Sequence, residues 1–340
     1  MIVVSNYPWA VFFTIMAMIC WGSWANTQKL VQGTWRFELF YWDMVIGILL
    51  LSIVAAFTVG SLGDMGRSFL VDLSQAKGGS ILSAMLGGVV WNLGNLLLVA
   101  AIAVAGMSVG FPIGGGIAWV LGIVVNYILI IMDKGRSEDD AFLLFSGVGV
   151  IIFAIILSMI AYRRLASEQK KPSLKGILLS IFAGILIAFF YGLVVNSLSN
   201  EYVAGGTGTL TPFTAVFFFA VGVFISTFIF NPIFMRKPVQ GQPVYMAQYW
   251  QGSGRTHLIG VLGGSIWMLG MVMSFMAAGS AGPAISYALS NAAPVVAILW
   301  GVLVWKEFAE APRGTNRLLV IMFIAYLIGL ALITYSKVIS

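Results

Sequence analysis

Gly87 to Gly94 reads GGVVWNLG, and Gly263 to Gly270 reads GGSIWMLG. Each has paired glycines, a Trp three residues after the second Gly, and a Gly three after the Trp. The register runs on: Trp91 precedes Gly106 by fifteen residues, and Trp267 precedes Gly282 by the same interval. A second match lies upstream of each. WGSWAN (Trp21–Asn26) and YGLVVN (Tyr191–Asn196) both read aromatic-Gly, three residues, Asn. Gly and Trp are common in membrane helices, so chance supplies one such match. Two, in order and in corresponding segments, point to a duplicated element.

The segments carrying these matches are apolar. Of 340 residues, 60% are hydrophobic and 9% charged, with a mean hydropathy of +0.99. Soluble domains hold about 25% charged residues, so lipid is the expected solvent here. Windows of about 20 residues, the length that crosses the hydrocarbon, give ten spans: 8–27, 38–60, 80–103, 108–132, 141–162, 175–197, 211–235, 257–279, 283–305 and 317–336. Runs such as Val148–Met159 are apolar on both faces, which fits helices and not the alternating strands of a barrel. The expected fold class is an all-α polytopic membrane protein with ten transmembrane helices. The matches fall in spans 3 and 8 and in spans 1 and 6. Five spans per copy turn the second copy over, so the expected plan is two inverted five-helix repeats, 1–162 and 176–340, joined by the linker 163–175.

The first apolar run has no basic cluster before it and no small-residue cleavage site after it, so it is expected to be a span and not a cleaved signal. Thirteen of the eighteen Lys and Arg lie in loops after spans 1, 5, 7 and 9, five of them in the linker YRRLASEQKKPSLK (Tyr162–Lys175). The positive-inside bias therefore sets both termini outside and the linker in the cytoplasm, the inner membrane being the location if the source is bacterial. The net charge of +6 reflects this topology and implies no nucleic-acid partner. The single cysteine, Cys20, gives neither an intrachain disulfide nor a cysteine metal site.

Several segments resemble the drug/metabolite transporter superfamily: the GGVVWNLGN run at Gly87–Asn95, AGMSVG at Ala105–Gly110 and GVLVWKE at Gly301–Glu307. Within it the chain is similar to the glucose/ribose porter group, including rhamnose–proton symporters, and to ureide permeases. YWDMVIG (Tyr41–Gly47) and NYILI (Asn126–Ile130) lean to the ureide side, while WNLGN and GMSVG resemble the rhamnose porters as well. The resemblance implies secondary transport of a small hydroxyl- or amide-bearing solute, often coupled to a cation. The short linker leaves no room for the nucleotide-binding motif of some plant ureide permeases.

Polar side chains deep in lipid need a partner, a cavity or a ligand. Those expected around a solute are Trp21 and Asn26 in span 1, Trp91, Asn92 and Asn95 in span 3, Tyr191 and Asn196 in span 6, Trp267 in span 8, and Ser286, Tyr287 and Asn291 in span 9. Asn and Trp together offer paired hydrogen bonds and a flat apolar face without fixed charge. The bland reading assigns Trp24, Trp35 and Trp42 to the membrane interface and Asn126 to a helix–helix hydrogen bond. Gly114–Gly116 reads first as close packing, Pro112 and Pro294 as kinks. Asp43 is the one acid clearly inside an apolar run, about 8 Å from the span's end at 1.5 Å per residue. It is the candidate for cation coupling, with an edge ion pair to Lys29 or Arg36 as the alternative. Lys306-Glu307 is expected to pair at the end of span 9.

An enzyme is not expected: the only histidine, His257, sits at a span edge, and AGGTGTLTP (Ala204–Pro212) lacks the GK[ST] of a phosphate loop. No cofactor or metal is implied. The reading is a secondary active transporter working by alternating access, its cavity lined by spans 1, 3, 4, 6, 8 and 9. The solute is a small neutral polar metabolite, a monosaccharide ahead of a ureide or nucleobase-like compound, with a lipophilic-cation or metabolite exporter as the further alternative. A proton or sodium is the coupling ion.

Overall fold

The computed structural model describes residues 1–31, 35–63, 65–105, 107–135, 140–165, 174–199, 206–239 and 241–338. Gly106 and most of the linker, 166–173, lie outside the described residues. Ten helical segments are long and apolar enough to cross a membrane, and each overlaps one expected window. Span 1 comprises α1 (Tyr7–Ser23) and α2 (Ala25–Val31). Span 2 is α3 (Phe37–Phe57), followed by the short α4 (Phe69–Gln75). Spans 3 to 6 are α5 (Gly78–Ala105), α6 (Met107–Lys134), α7 (Ala141–Leu165) and α8 (Leu174–Val195). Span 7 is α9 (Pro212–Arg236), followed by the short α10 (Met246–Tyr249), and span 8 is α11 (Gly254–Ala281). Span 9 is built in three pieces: α12 (Pro283–Ser290), α13 (Pro294–Leu299) and a π-helical turn (Trp300–Val304). Span 10 is α14 (Thr315–Val338).

The helix starts follow local chemistry. Asn6 accepts from the Trp9 N–H at 3.0 Å and Ser253 from that of Thr256 at 3.2 Å, each satisfying one donor orphaned by the first turn. Pro8, Pro212, Pro283 and Pro294 stand at the first positions of their helices, where a missing N–H costs nothing. Pro294 interrupts span 9 after the turn at Asn291–Ala293, as the sequence implies. α6, by contrast, continues through position 112.

Packing follows a pattern. Span 1 packs on span 8 and span 3 on span 6; span 2 on span 8 and span 3 on span 7; span 1 on span 9 and span 4 on span 6. Each pair becomes its companion when every span is exchanged for the one five places along. The pairs 2 with 7, 4 with 9 and 5 with 10 map onto themselves.

At two of these crossings backbone meets backbone. A methyl carbon added at Gly264 would lie 1.8 Å from the Met44 carbonyl oxygen, and one at Gly47 would lie 2.1 Å from that of Val261. The companion crossing repeats this: Gly88 would meet the Phe219 carbonyl at 2.1 Å and Gly222 that of Met85 at 2.1 Å. Between the crossings, the Trp91 and Trp267 rings have centroids 4.1 Å apart, and Phe219 stacks on Trp267 at 5.8 Å.

Gly264→Ala is expected to lower stability by about 1–3 kcal/mol through overpacking. Gly149→Ala, in the middle of α7 with nothing within 4 Å of the new carbon, should be neutral or stabilising by up to about 1 kcal/mol. Thermal unfolding of the two variants in detergent checks the opposite signs.

Candidate functional site

A cavity of about 440 Å³ is bounded by spans 1, 3, 4, 5, 9 and 10. Its size is that of a small-molecule site. Span 1 contributes Trp24, Asn26 and Lys29, span 3 Asn95, and span 4 Gly115, Gly116 and Trp119. Span 5 adds Ser158 and Tyr162, span 9 Asn291, Trp305 and Glu307, and span 10 Tyr326. These positions lie toward one end of the bundle, where spans 1, 5 and 9 finish. Spans 6 and 8, expected in the wall, do not line it; spans 5 and 10 do.

The wall is held by cross-span hydrogen bonds. Trp305 Nε1 donates to Asn26 Oδ1 at 2.6 Å, and Asn26 Nδ2 donates to the Ser23 carbonyl. Trp300 Nε1 donates to Ser23 Oγ at 2.9 Å. Lys29 and Glu307 form an ion pair across the same seam, and the Lys29 ammonium lies 4.5 Å from the centre of the Trp305 ring. The expected partner Lys306 is not the one Glu307 uses, because Lys306 takes a left-handed φ of 51° as the chain leaves the π turn. Tyr326 keeps its buried hydroxyl without a partner among the described residues.

Of the eleven residues expected around a solute, Asn26, Asn95 and Asn291 line this cavity. Among the described residues Asn95 has one weak contact, its Nδ2 at 3.4 Å from the Tyr41 hydroxyl, and Asn291 Nδ2 donates to the Tyr287 carbonyl. The others, Asn196 apart, are used in packing. Asn92 accepts from Tyr41 at 2.5 Å and donates to Ser226 at 2.7 Å and Thr227 at 3.0 Å, tying α5 to α3 and α9. Trp21 donates to the Trp267 carbonyl and joins the Trp91–Trp267 stack. Tyr191 bonds Ser274 and Ser286, and Tyr287 donates to the Ala118 carbonyl. Asn196 is exposed just beyond the end of α8.

Asp43 lies outside the cavity wall. Its carboxylate is buried, with Tyr249 donating at 2.6 Å and His257 Nδ1 at 2.9 and 3.0 Å from its two oxygens. Neither Lys29 nor Arg36 is its partner: Lys29 binds Glu307 and Arg36 binds Glu38. Burial, and then the Asp43 carboxylate beside it, push the Tyr249 hydroxyl above the usual phenol range, so it acts as a donor at physiological pH. The Trp35 ring closes over His257 at 5.5 Å. This triad joins α3 to α10 and α11.

The opposite end of the bundle carries a buried ion pair, Arg67 with Asp72, Nε to Oδ1 at 2.8 Å. Asp72 also accepts from the Thr211 N–H at 2.7 Å, and both Arg67 and Gln75 donate to the Thr209 carbonyl. The network ties the segment after α3 to the segment before α9.

Ten helices long and apolar enough to cross a membrane, six of them around a polar-studded cavity, define an integral, multi-pass membrane protein. The family described as Ureide permease matches residues 40–175 and 162–336, and the chain belongs to that family. It is 25% identical to Ureide permease 1 of Arabidopsis thaliana, 27% to Ureide permease 2 and 26% to Ureide permease 5 of the same plant. The first two alignments cover 99% of both chains, and the third 98% of this chain and 95% of the relative. A solved crystal structure shares the fold at a TM-score of 0.61 and 16% identity, covering 99% of this chain and 100% of the other. The protein is a membrane transporter and not an enzyme. The family and these relatives do not support the expected monosaccharide and fit its ureide-permease alternative better.

Asn92→Ala is expected to lower stability by about 1–3 kcal/mol, since it leaves Tyr41, Ser226 and Thr227 with less than their hydrogen bonding. Asn196→Ala should stay within about 0.5 kcal/mol. Thermal midpoints of the purified variants separate the packing asparagine from the exposed one.

Proposed function

We propose that the protein carries a ureide, a small flat solute of alternating N–H and C=O groups, across the membrane by alternating access of two inverted five-span repeats. The observation that carries this reading is the cavity wall: Asn95 and Asn291 lie among the indole rings of Trp24, Trp119 and Trp305. An amide offers one donor group and one acceptor to such a solute, and an indole face covers its plane. The family supports a ureide over a sugar.

The interchange of packing partners between spans 1–5 and 6–10 supports the repeat, and the paired glycine crossings support two bodies that rock on a shared line of contact. The cavity sits toward one end, while the other is sealed by Arg67, Asp72 and Gln75 against Thr209 and Thr211. With the basic loops inside, the cavity faces the cytoplasm and both termini lie outside. Cation coupling runs through Asp43 at a distance from the solute. Its carboxylate belongs to one repeat and His257 and Tyr249 to the other, so protonating it acts on the contact between repeats.

A thermal-shift panel of hexoses, deoxyhexoses, allantoin, nucleobases and lipophilic cations tests the substrate class. A ligand at 100 times its dissociation constant stabilises by about 2.7 kcal/mol, and allantoin is expected to shift the midpoint where hexoses do not. Stabilisation by lipophilic cations alone would overturn the reading in favour of an exporter. Asp43→Asn is expected to abolish pH-driven accumulation in vesicles while leaving solute binding in place. Concentrative, pH-driven uptake by that variant would remove Asp43 from the coupling.

A further inference from the structure

We propose that Glu307 recognises the open ureido group, –NH–CO–NH2, its carboxylate accepting both parallel N–H groups of that unit. The proposal rests on the ureide reading of the cavity and names the group that would read the solute. Glu307 is the one carboxylate among the described lining residues. Its Oε1 is held by Lys29, while Oε2 accepts no hydrogen bond from the described residues. A carboxylate fork matches two parallel N–H donors in the way it matches a guanidinium, and such charge-assisted bonds are about twice as strong as neutral ones. In an open-chain ureido group the two N–H bonds anti to the carbonyl point the same way. In a cyclic urea they diverge, and one fork cannot take both.

The resting ion pair is built to be exchanged. The Lys29 and Glu307 side chains are 37% and 31% exposed, and pairs so exposed hold weakly. In the same position the Lys29 ammonium lies 4.5 Å from the centre of the Trp305 ring, a contact that would go on offsetting its charge if a ligand took the carboxylate. The π-helical turn Trp300–Val304 closes with the Trp305 N–H on the Trp300 carbonyl at 3.0 Å. The Glu307 N–H then returns to the Gly301 carbonyl at 2.9 Å, which fixes the backbone that carries the acid. For the ureido carbonyl, the same lining holds Asn95, whose amide has only its 3.4 Å contact among the described residues, and Tyr326, whose hydroxyl has none among them.

The alternative is that Lys29–Glu307 is only a latch between spans 1 and 9. Binding of allantoin, which carries a ureido chain, and of hydantoin, the same ring without it, separates the two ideas in detergent-purified protein. The wild type is expected to bind allantoin more tightly than hydantoin. Glu307→Gln should weaken allantoin by about tenfold or more, the scale of a lost charged pair of hydrogen bonds, and leave hydantoin unchanged. The double variant Lys29→Glu with Glu307→Lys restores an ion pair, so it should recover the thermal midpoint without recovering allantoin. Lys29→Met, which removes the competitor for Glu307, should bind allantoin more tightly than the wild type, and it serves if Glu307→Gln does not fold. Recovery of allantoin by the charge swap, or equal loss of both ligands in Glu307→Gln, would overturn the proposal and leave a latch. A wild type that binds neither compound would instead remove the ureide reading itself, and that failure is visible before any variant is made.

Discussion

Four glycines set the geometry on which the rest of this structure depends. Gly47 with Gly264, and Gly88 with Gly222, let α3 cross α11 and α5 cross α9 with backbone against backbone. In lipid there is no hydrophobic drive between apolar helices, so close approach and the dispersion it brings must hold them. At each crossing the glycine and the carbonyl facing its partner are three residues apart in the same helix. Both members of a pair therefore present the same short stretch, and neither tolerates a side chain. The same approach brings Trp91 and Trp267 into contact between the crossings, so the centre of the bundle is filled with rings and not with water.

That filled centre decides where a cavity can form. The aromatic stack of Trp21, Trp91, Trp267 and Phe219 joins α1, α5, α9 and α11. The space left open lies to one side of it, walled by spans 5 and 10 as well as by spans 1, 3, 4 and 9. At the far end the buried Arg67–Asp72 pair is hydrogen-bonded into the opposite segment. A buried pair costs desolvation that only such bonding offsets.

The sequence carried much of this plan. Ten apolar runs predicted ten helices because span length is set by the bilayer and not by tertiary detail. The paired GGxxWxLG segments marked the crossings, since glycine and tryptophan there answer to backbone approach and ring stacking along one helix. Asn26, Asn95 and Asn291 were legible as cavity groups from residue type and depth. Asn92 was not separable from Asn95 at that level: the two stand on one face, and only the neighbours Tyr41, Ser226 and Thr227 decide that Asn92 is fully bonded. His257 was passed over because its partner lies 214 positions away and the loop carrying Tyr249 leaves no periodic signal. The π turn was equally silent, although it governs where Trp305 and Glu307 stand.

The polar residues of this bundle sort by how much of their hydrogen bonding the fold already uses. Asn92, Tyr191 and Tyr287 are buried and bonded to other helices. A ligand could reach them only by breaking packing. Asn95, Asn291, Tyr326 and Glu307 retain capacity among the described residues and line the same cavity. Because a polar group in lipid is costly unless satisfied, that unused capacity has to be met by water or by a solute. Gathered around one cavity, beside indole faces, it distinguishes this end of the bundle from the equally polar but internally satisfied network at the other end.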